Sequence, residues 1–170
     1  MAASVIDGKA VAARVRAEVA EGVSAFTAEH GRPPGLATVL VGEDAASAIY
    51  VNGKQKAVGE VGIRGFDHRL QADASREEVV ALIEELNANP EVNGILCQLP
   101  VPDHLDGVEL TSLVDPGKDV DGLTPISAGL LALGRPGLRS CTPVGVMLLL
   151  EAAGAELEGA EAVVVGRSNL

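Results

Sequence analysis

Short, unbroken apolar runs alternate with longer segments whose apolar residues recur every three or four positions, and this alternation confines the chain to the α/β class. Leu36–Val41 is a run of the first kind, and Gly94–Leu99 is another, broken only by Gln98. A strand with one face in water would alternate apolar and polar residues. An unbroken run needs cover on both faces, as in a parallel sheet sandwiched between helices. Arg64–Leu70 and Glu161–Gly166 are expected to add two more strands. Between them the helical period is plain. Val11, Val15, Val19, Val23 and Phe26 mark a buried stripe on a helix over 9–30, which Gly31-Arg-Pro-Pro-Gly35 ends. A second helix is expected over 45–61. Ser75 and Glu78 have capping-box spacing and open a third, carrying Val79, Ile83 and Leu86 and closed by Asn89-Pro90. Beyond Pro100 the pattern loosens into a charged loop over 115–122 and a short helix over 125–133. Thr142-Pro143 then predicts an N-cap followed by proline at the first helical position, with Gly154 as the stop.

Composition narrows the function classes. The 170 residues carry a net charge of −11 and only 2% aromatics, so a basic, base-stacking surface for nucleic acid is excluded. There is no polybasic segment for an anionic membrane and no apolar run of the ~18 residues that span a bilayer. No export signal is visible at the start, so a cytoplasmic protein is expected, with Cys97 and Cys141 as reduced thiols. His30, His68 and His104 are scattered without ligand spacing, and no metal site is expected.

Four groups of residues have chemical potential. Ser47, Tyr50 and Lys54 fall at offsets of three and four, so they share one helical face. Tyr50, the one tyrosine, offers a flat ring to a planar ligand, and a lysine whose ammonium form is disfavoured becomes a base. The competing reading is a surface lysine beside a half-buried tyrosine. Gln98 interrupts an apolar strand near its carboxyl end; a buried amide needs partners, so it either faces a polar cleft or satisfies loose backbone there. Asp119 and Asp121 flank Val120 in a glycine-bounded loop, where they can face water, meet a substrate or bind a metal. Finally, Val163–Ser168 has the form of a nucleotide-binding strand and turn, with one glycine, Gly166, and with Arg167 and Ser168 placed to meet a phosphate.

Ser-x-x-Tyr-x-x-x-Lys invites comparison with short-chain dehydrogenases, but there the glycine-rich turn precedes the tyrosine, and here the order is reversed. A second comparison fits across essentially the whole chain. The segments Ile6–Lys9, Val41–Ser47, Tyr50–Lys54, Gly62-Ile63, Gly94–Pro100, Lys118–Gly122, Cys141–Pro143 and Val165–Ser168, in that order, resemble the bifunctional 5,10-methylenetetrahydrofolate dehydrogenase / 5,10-methenyltetrahydrofolate cyclohydrolase family. The resemblance implies a three-layer α/β/α catalytic domain with a parallel sheet over 1–139. It also implies the beginning of a Rossmann-type NADP-binding domain over 140–170, with the family's remaining residues, on the order of a hundred, absent. It makes Lys54 the catalytic lysine and Gln98 the glutamine that tunes it. Tyr50 becomes the ring that stacks on the folate substrate, and Asp121 the carboxylate that holds the pterin. Ser47 and Pro100 are expected to join the substrate site. Gly166, Arg167, Ser168 and Thr142 are expected to bind NADP, and a homodimer is implied.

The implied chemistry agrees with the residues. Oxidation of the methylene bridge is chiefly a positioning task and leaves a methenyl cation. That charge beside Lys54 favours the neutral amine, which can then assist water's attack on the cationic carbon and open the ring to 10-formyltetrahydrofolate. The chain departs from the family at Ser127, where asparagine is usual, and at Ser140, where proline is usual.

Overall fold

The computed structural model describes residues 5–42 and 44–166. Three parallel strands, β1 (Gly35–Val41), β2 (Arg64–Leu70) and β3 (Gly94–Cys97), form one sheet in the order β2-β1-β3. The helices are α1 (Gly8–His30), α2 (Ala45–Glu60), α3 (Arg76–Ala88), α4 (Gly107–Ser112), α5 (Pro125–Ala132) and α6 (Cys141–Ala152). The parallel α/β architecture expected from the alternating runs is present.

Strand parity assigns the layers. Ala37, Val39, Val41, Ile95 and Cys97 share one face and join Val79, Ile83 and Leu86 of α3 and Leu110 of α4 in a single buried cluster. On the opposite face Thr38 meets Gln55 of α2. Helices therefore cover both faces, which explains why β1 reads as an unbroken apolar run. Leu40, Ile83, Leu86, Ile95 and Leu110 are fully buried, each worth about 1.5–3 kcal/mol of transfer free energy. The capping box forms as spaced: the Ser75 hydroxyl accepts from the Glu78 amide, and the Glu78 carboxylate accepts from the Ser75 amide.

Four expectations change. The α1 stripe is poorly covered: only Val23 is buried, and Val19 stays 39% exposed. Its neighbour is α6, and a groove of about 640 Å³ remains between them, lined by Val11 and Val15 on one side and Val144 and Leu148 on the other. The α6 cap also moves. Ser140 is the N-cap, without a side-chain bond, so Thr142 lies inside the first turn. Helix α4 was not expected; six residues are too few for a period, and its signal is the Asp106 carboxylate, which accepts from the amides of Val108 and Glu109. Lastly, Glu161–Gly166 forms no strand, and Val163, Val164 and Val165 are about nine-tenths exposed. A strand exists only by pairing, and no described strand lies beside this one. No helix is long and apolar enough to cross a membrane among the described residues.

Candidate active site

Helix α2 packs on β1 and β2 and leaves the same face of β3 open. Gly94, Leu96 and, by parity, Gln98 point to that side. The opening is bounded by the 118–123 loop and the start of α6. It holds two adjoining cavities, of about 510 Å³ and 140 Å³, which share Lys54, Asp121, Cys141 and Thr142. The larger is walled mainly by apolar groups such as Leu36, Ile63, Leu96 and Val120, and its size falls in the usual range for a small-molecule site.

Lys54 reaches across this opening. Its Nζ donates to Gln98 Oε1 at 3.1 Å, and Gln98 Nε2 donates to the Leu99 carbonyl at 2.6 Å. The Gln98 amide group is thus oriented with its oxygen toward the lysine. Both residues line the smaller cavity, so Gln98, just past β3, meets both expectations: its oxygen faces the cleft and its nitrogen satisfies the backbone at Leu99.

The two aspartates part company. Asp119 is buried; its carboxylate accepts from the amides of Leu123 (3.1 Å) and Thr124 (2.8 Å). Burial pushes its pKa up, but hydrogen bonds from Thr124, Ser127 and Leu123 outweigh burial and hold it below the ordinary carboxyl value. Asp119 is a structural anchor for the turn into α5. Ser127, one of the two departures from the family pattern, completes that turn by accepting from the Thr124 hydroxyl at 3.1 Å. Asp121 lines both cavities. Burial raises its pKa, Lys54 opposes the rise, and Asp119 adds to it.

The loop carrying Asp121 is held at both ends. Lys118 Nζ donates to the carbonyls of Leu86, Asn87 and Asn89 at 3.0, 2.7 and 2.8 Å, closing the C-terminus of α3 with a cation where the helix dipole favours one. Ile95 N–H bonds the Lys118 carbonyl at 2.7 Å, which docks the loop against β3. At the other end Gly122 has φ +64°, and a Cβ there would stand 2.7 Å from Ser140 N. Only glycine lets this turn approach the start of α6 so closely.

Other candidates lie elsewhere. Tyr50 is 67% exposed on α2, one turn before Lys54, and its ring lines neither cavity. Ser47 is buried in the first turn of α2, where its amide donates to Asp44 at 2.7 Å, and Pro100 is exposed; neither lines the cleft. Gly166 is described and exposed, while Arg167 and Ser168 lie outside the described residues. A dinucleotide cradle needs a paired strand, a glycine turn and the N-terminus of the next helix. Among the described residues Glu161–Gly166 is not paired as a strand. Cys141 was missed as a cleft residue. Its Sγ donates to the Val120 carbonyl at 3.6 Å, and burial raises its thiol, with Asp121 adding to the rise and Lys54 opposing it. No three His, Cys, Asp or Glu side chains among the described residues are grouped to hold a metal ion.

Comparison with known proteins gives the arrangement a context. The tetrahydrofolate dehydrogenase/cyclohydrolase catalytic domain matches residues 6–121. A bifunctional protein FolD 2 of Frankia alni is 57% identical over 170 residues, covering 100% of this chain and 59% of that protein. The crystal structure of the bifunctional FolD methylenetetrahydrofolate dehydrogenase/cyclohydrolase from Campylobacter jejuni superposes with a TM-score of 0.94 at 42% identity, covering 99% of this chain and 60% of that one. The Trypanosoma brucei dehydrogenase-cyclohydrolase, complexed with NADP cofactor and inhibitor, gives 0.87 at 37% identity, covering 91% and 53%. The chain thus spans little more than half the length of the proteins it matches.

Proposed function

The chain belongs to the tetrahydrofolate dehydrogenase/cyclohydrolase family, and from that premise we propose that its cleft binds a 5,10-bridged tetrahydrofolate and supports hydrolysis of the methenyl form. The Lys54–Gln98 hydrogen bond at the junction of the two cavities carries this reading. The pterin lies against the apolar wall of the larger cavity with Asp121 accepting hydrogen bonds from its amino edge. The exposed Tyr50 ring, one turn away, covers the bound ligand.

In the hydrolytic step, the substrate's positive charge beside Nζ favours the uncharged amine of Lys54. Gln98 Oε1 holds that amine at the junction of the cavities. Water adds its oxygen to the cationic methenyl carbon, and its proton passes to Nζ. The C–N5 bond then breaks as N5 takes the proton held on Nζ and the hydroxyl releases its own to solvent, so that the carbonyl forms and the ring opens to 10-formyltetrahydrofolate. Proton removal by a held amine accounts for roughly 10²–10⁴-fold of rate.

The complete family activity adds NADP-dependent oxidation of the methylene bridge, in the cytoplasm and in a homodimer. These belong to the proposal for the whole protein. A second reading is a folate-binding chain without turnover. Incubating the chain with methenyltetrahydrofolate and no nucleotide separates the two. Faster loss of substrate than in buffer supports hydrolysis; binding without acceleration supports the second reading.

A further inference from the structure

Thr38 is a fully buried polar residue in the central strand, on an otherwise apolar run. Its hydroxyl accepts from Gln55 Nε2 of α2 at 2.8 Å and donates to Asp67 Oδ1 of β2 at 3.2 Å. Asp67 Oδ2 accepts from Arg69 Nε at 2.9 Å, and Arg69 Nη2 donates to Asn52 Oδ1 at 2.6 Å. The chain of bonds leaves α2 at Gln55, passes through β1 and β2, and returns to α2 at Asn52. Its two ends bracket Lys54. Gly65 leaves the space that Gln55 occupies: a Cβ there would stand 2.1 Å from Gln55 Oε1.

A circuit anchored at two points on a helix fixes both its rotation and its axial position over the sheet. Apolar packing alone is non-directional and does neither so sharply. At the outer radius of a helix, ~6 Å, a rotation of about 10° moves a side chain by about 1 Å, and an error of that size at a reacting centre costs on the order of 10²-fold in rate.

We infer that Thr38 and Gln55 are positioning residues: through this circuit they set the rotation of α2 and so hold Lys54 Nζ on Gln98. The inference concerns where Lys54 stands; its consequence for turnover rests on the proposed hydrolytic role of Lys54.

The test compares Thr38→Val, Thr38→Ser and Gln55→Leu with the parent in two measurements. The first is reductive methylation of lysines, mapped by mass spectrometry, with Lys56 on the same helix, its side chain 80% exposed, as the internal standard. Thr38→Val and Gln55→Leu are expected to raise the Lys54/Lys56 labelling ratio several-fold, and Thr38→Ser to keep it at the parent value. An unchanged ratio in both of the first two variants overturns the inference, whatever the chain's activity. The second is methenyltetrahydrofolate hydrolysis. Thr38→Val is expected to lose tenfold or more in kcat with KM within twofold, and Thr38→Ser to recover it. A kcat within twofold of the parent overturns the link to turnover. An inactive parent whose labelling ratios still follow the expected order rejects the hydrolytic reading and keeps the circuit. Gln55→Leu, at a partly exposed helical site, preserves the fold should Thr38→Val not.

Discussion

Lys54 and Gln98, 44 residues apart in the chain, meet at 3.1 Å where the two cavities of the cleft join. One comes from the middle of α2 and the other from the end of β3, so the pair exists only because α2 lies over β1 and β2 and leaves β3 uncovered. Replacing Gln98 with Leu keeps the volume and removes the acceptor. Methenyltetrahydrofolate hydrolysis by Gln98→Leu is expected to fall by at least tenfold, with thermal stability within a few degrees of the parent, as activity assays and calorimetry will measure.

Asp119 and Asp121 are expected to respond to pH with opposite sign. The Asp119 carboxyl is held below its unfolded value of about 3.8, so the stability it contributes is present above that value and is lost as the pH falls through the lower, folded one. Asp119→Ala is expected to cost about 2 kcal/mol at neutral pH, by loss of hydrogen bonds to a charged group, and less in acid. The folded pKa of Asp121 is raised. Its native state therefore binds the proton more tightly, and stability declines as pH rises from the ordinary carboxyl value through the raised one. Asp121→Asn is expected to stabilise the fold at neutral pH and to weaken folate binding by roughly 10–100-fold. Urea unfolding of both variants across the acid range checks the two signs.

Lys118 is expected to be structural in spite of its place in a charged motif. Lys118→Met leaves three carbonyls at the end of α3 without their donor. A loss of about 2 kcal/mol follows, or roughly 4–8 °C in Tm for a chain of this size, measurable by calorimetry.

The two thiols should react on different timescales. Burial, aided by Asp121, pushes Cys97 up to about 11 from 9.0, which cuts its thiolate on the order of a hundredfold at neutral pH. Cys141 is exposed beside Lys54 in the cleft. A disulfide reagent is expected to modify one thiol per native chain, at Cys141, and a bound folate to slow that reaction. Equal rates at both cysteines would count against this arrangement.

Sequence patterns exposed whatever local physics decides. The capping box at Ser75 and Glu78, the unbroken run of β1 and the bounds of α5 depend on residues close in the chain, and they are where the pattern put them. Gln98 was visible because an amide inside an apolar strand has to be satisfied. What failed depends on distant partners. Val163–Val165 has strand composition, and among the described residues no strand lies beside it. The α1 stripe records a demand for cover, which α6 meets only in part. Asp119 and Asp121 are identical in type and separated only by Val120, yet only the turn into α5 turns the first inward. The Thr38–Gln55 contact joins a strand to a helix, and no local period announces it.

The central claim is that Lys54 assists water in this cleft. It is tested most directly by comparing methenyltetrahydrofolate hydrolysis and folate binding in the parent and in Lys54→Met. The account predicts a fall in turnover on the order of 10²–10⁴-fold with folate affinity retained. Hydrolysis at the parent rate in Lys54→Met would contradict it.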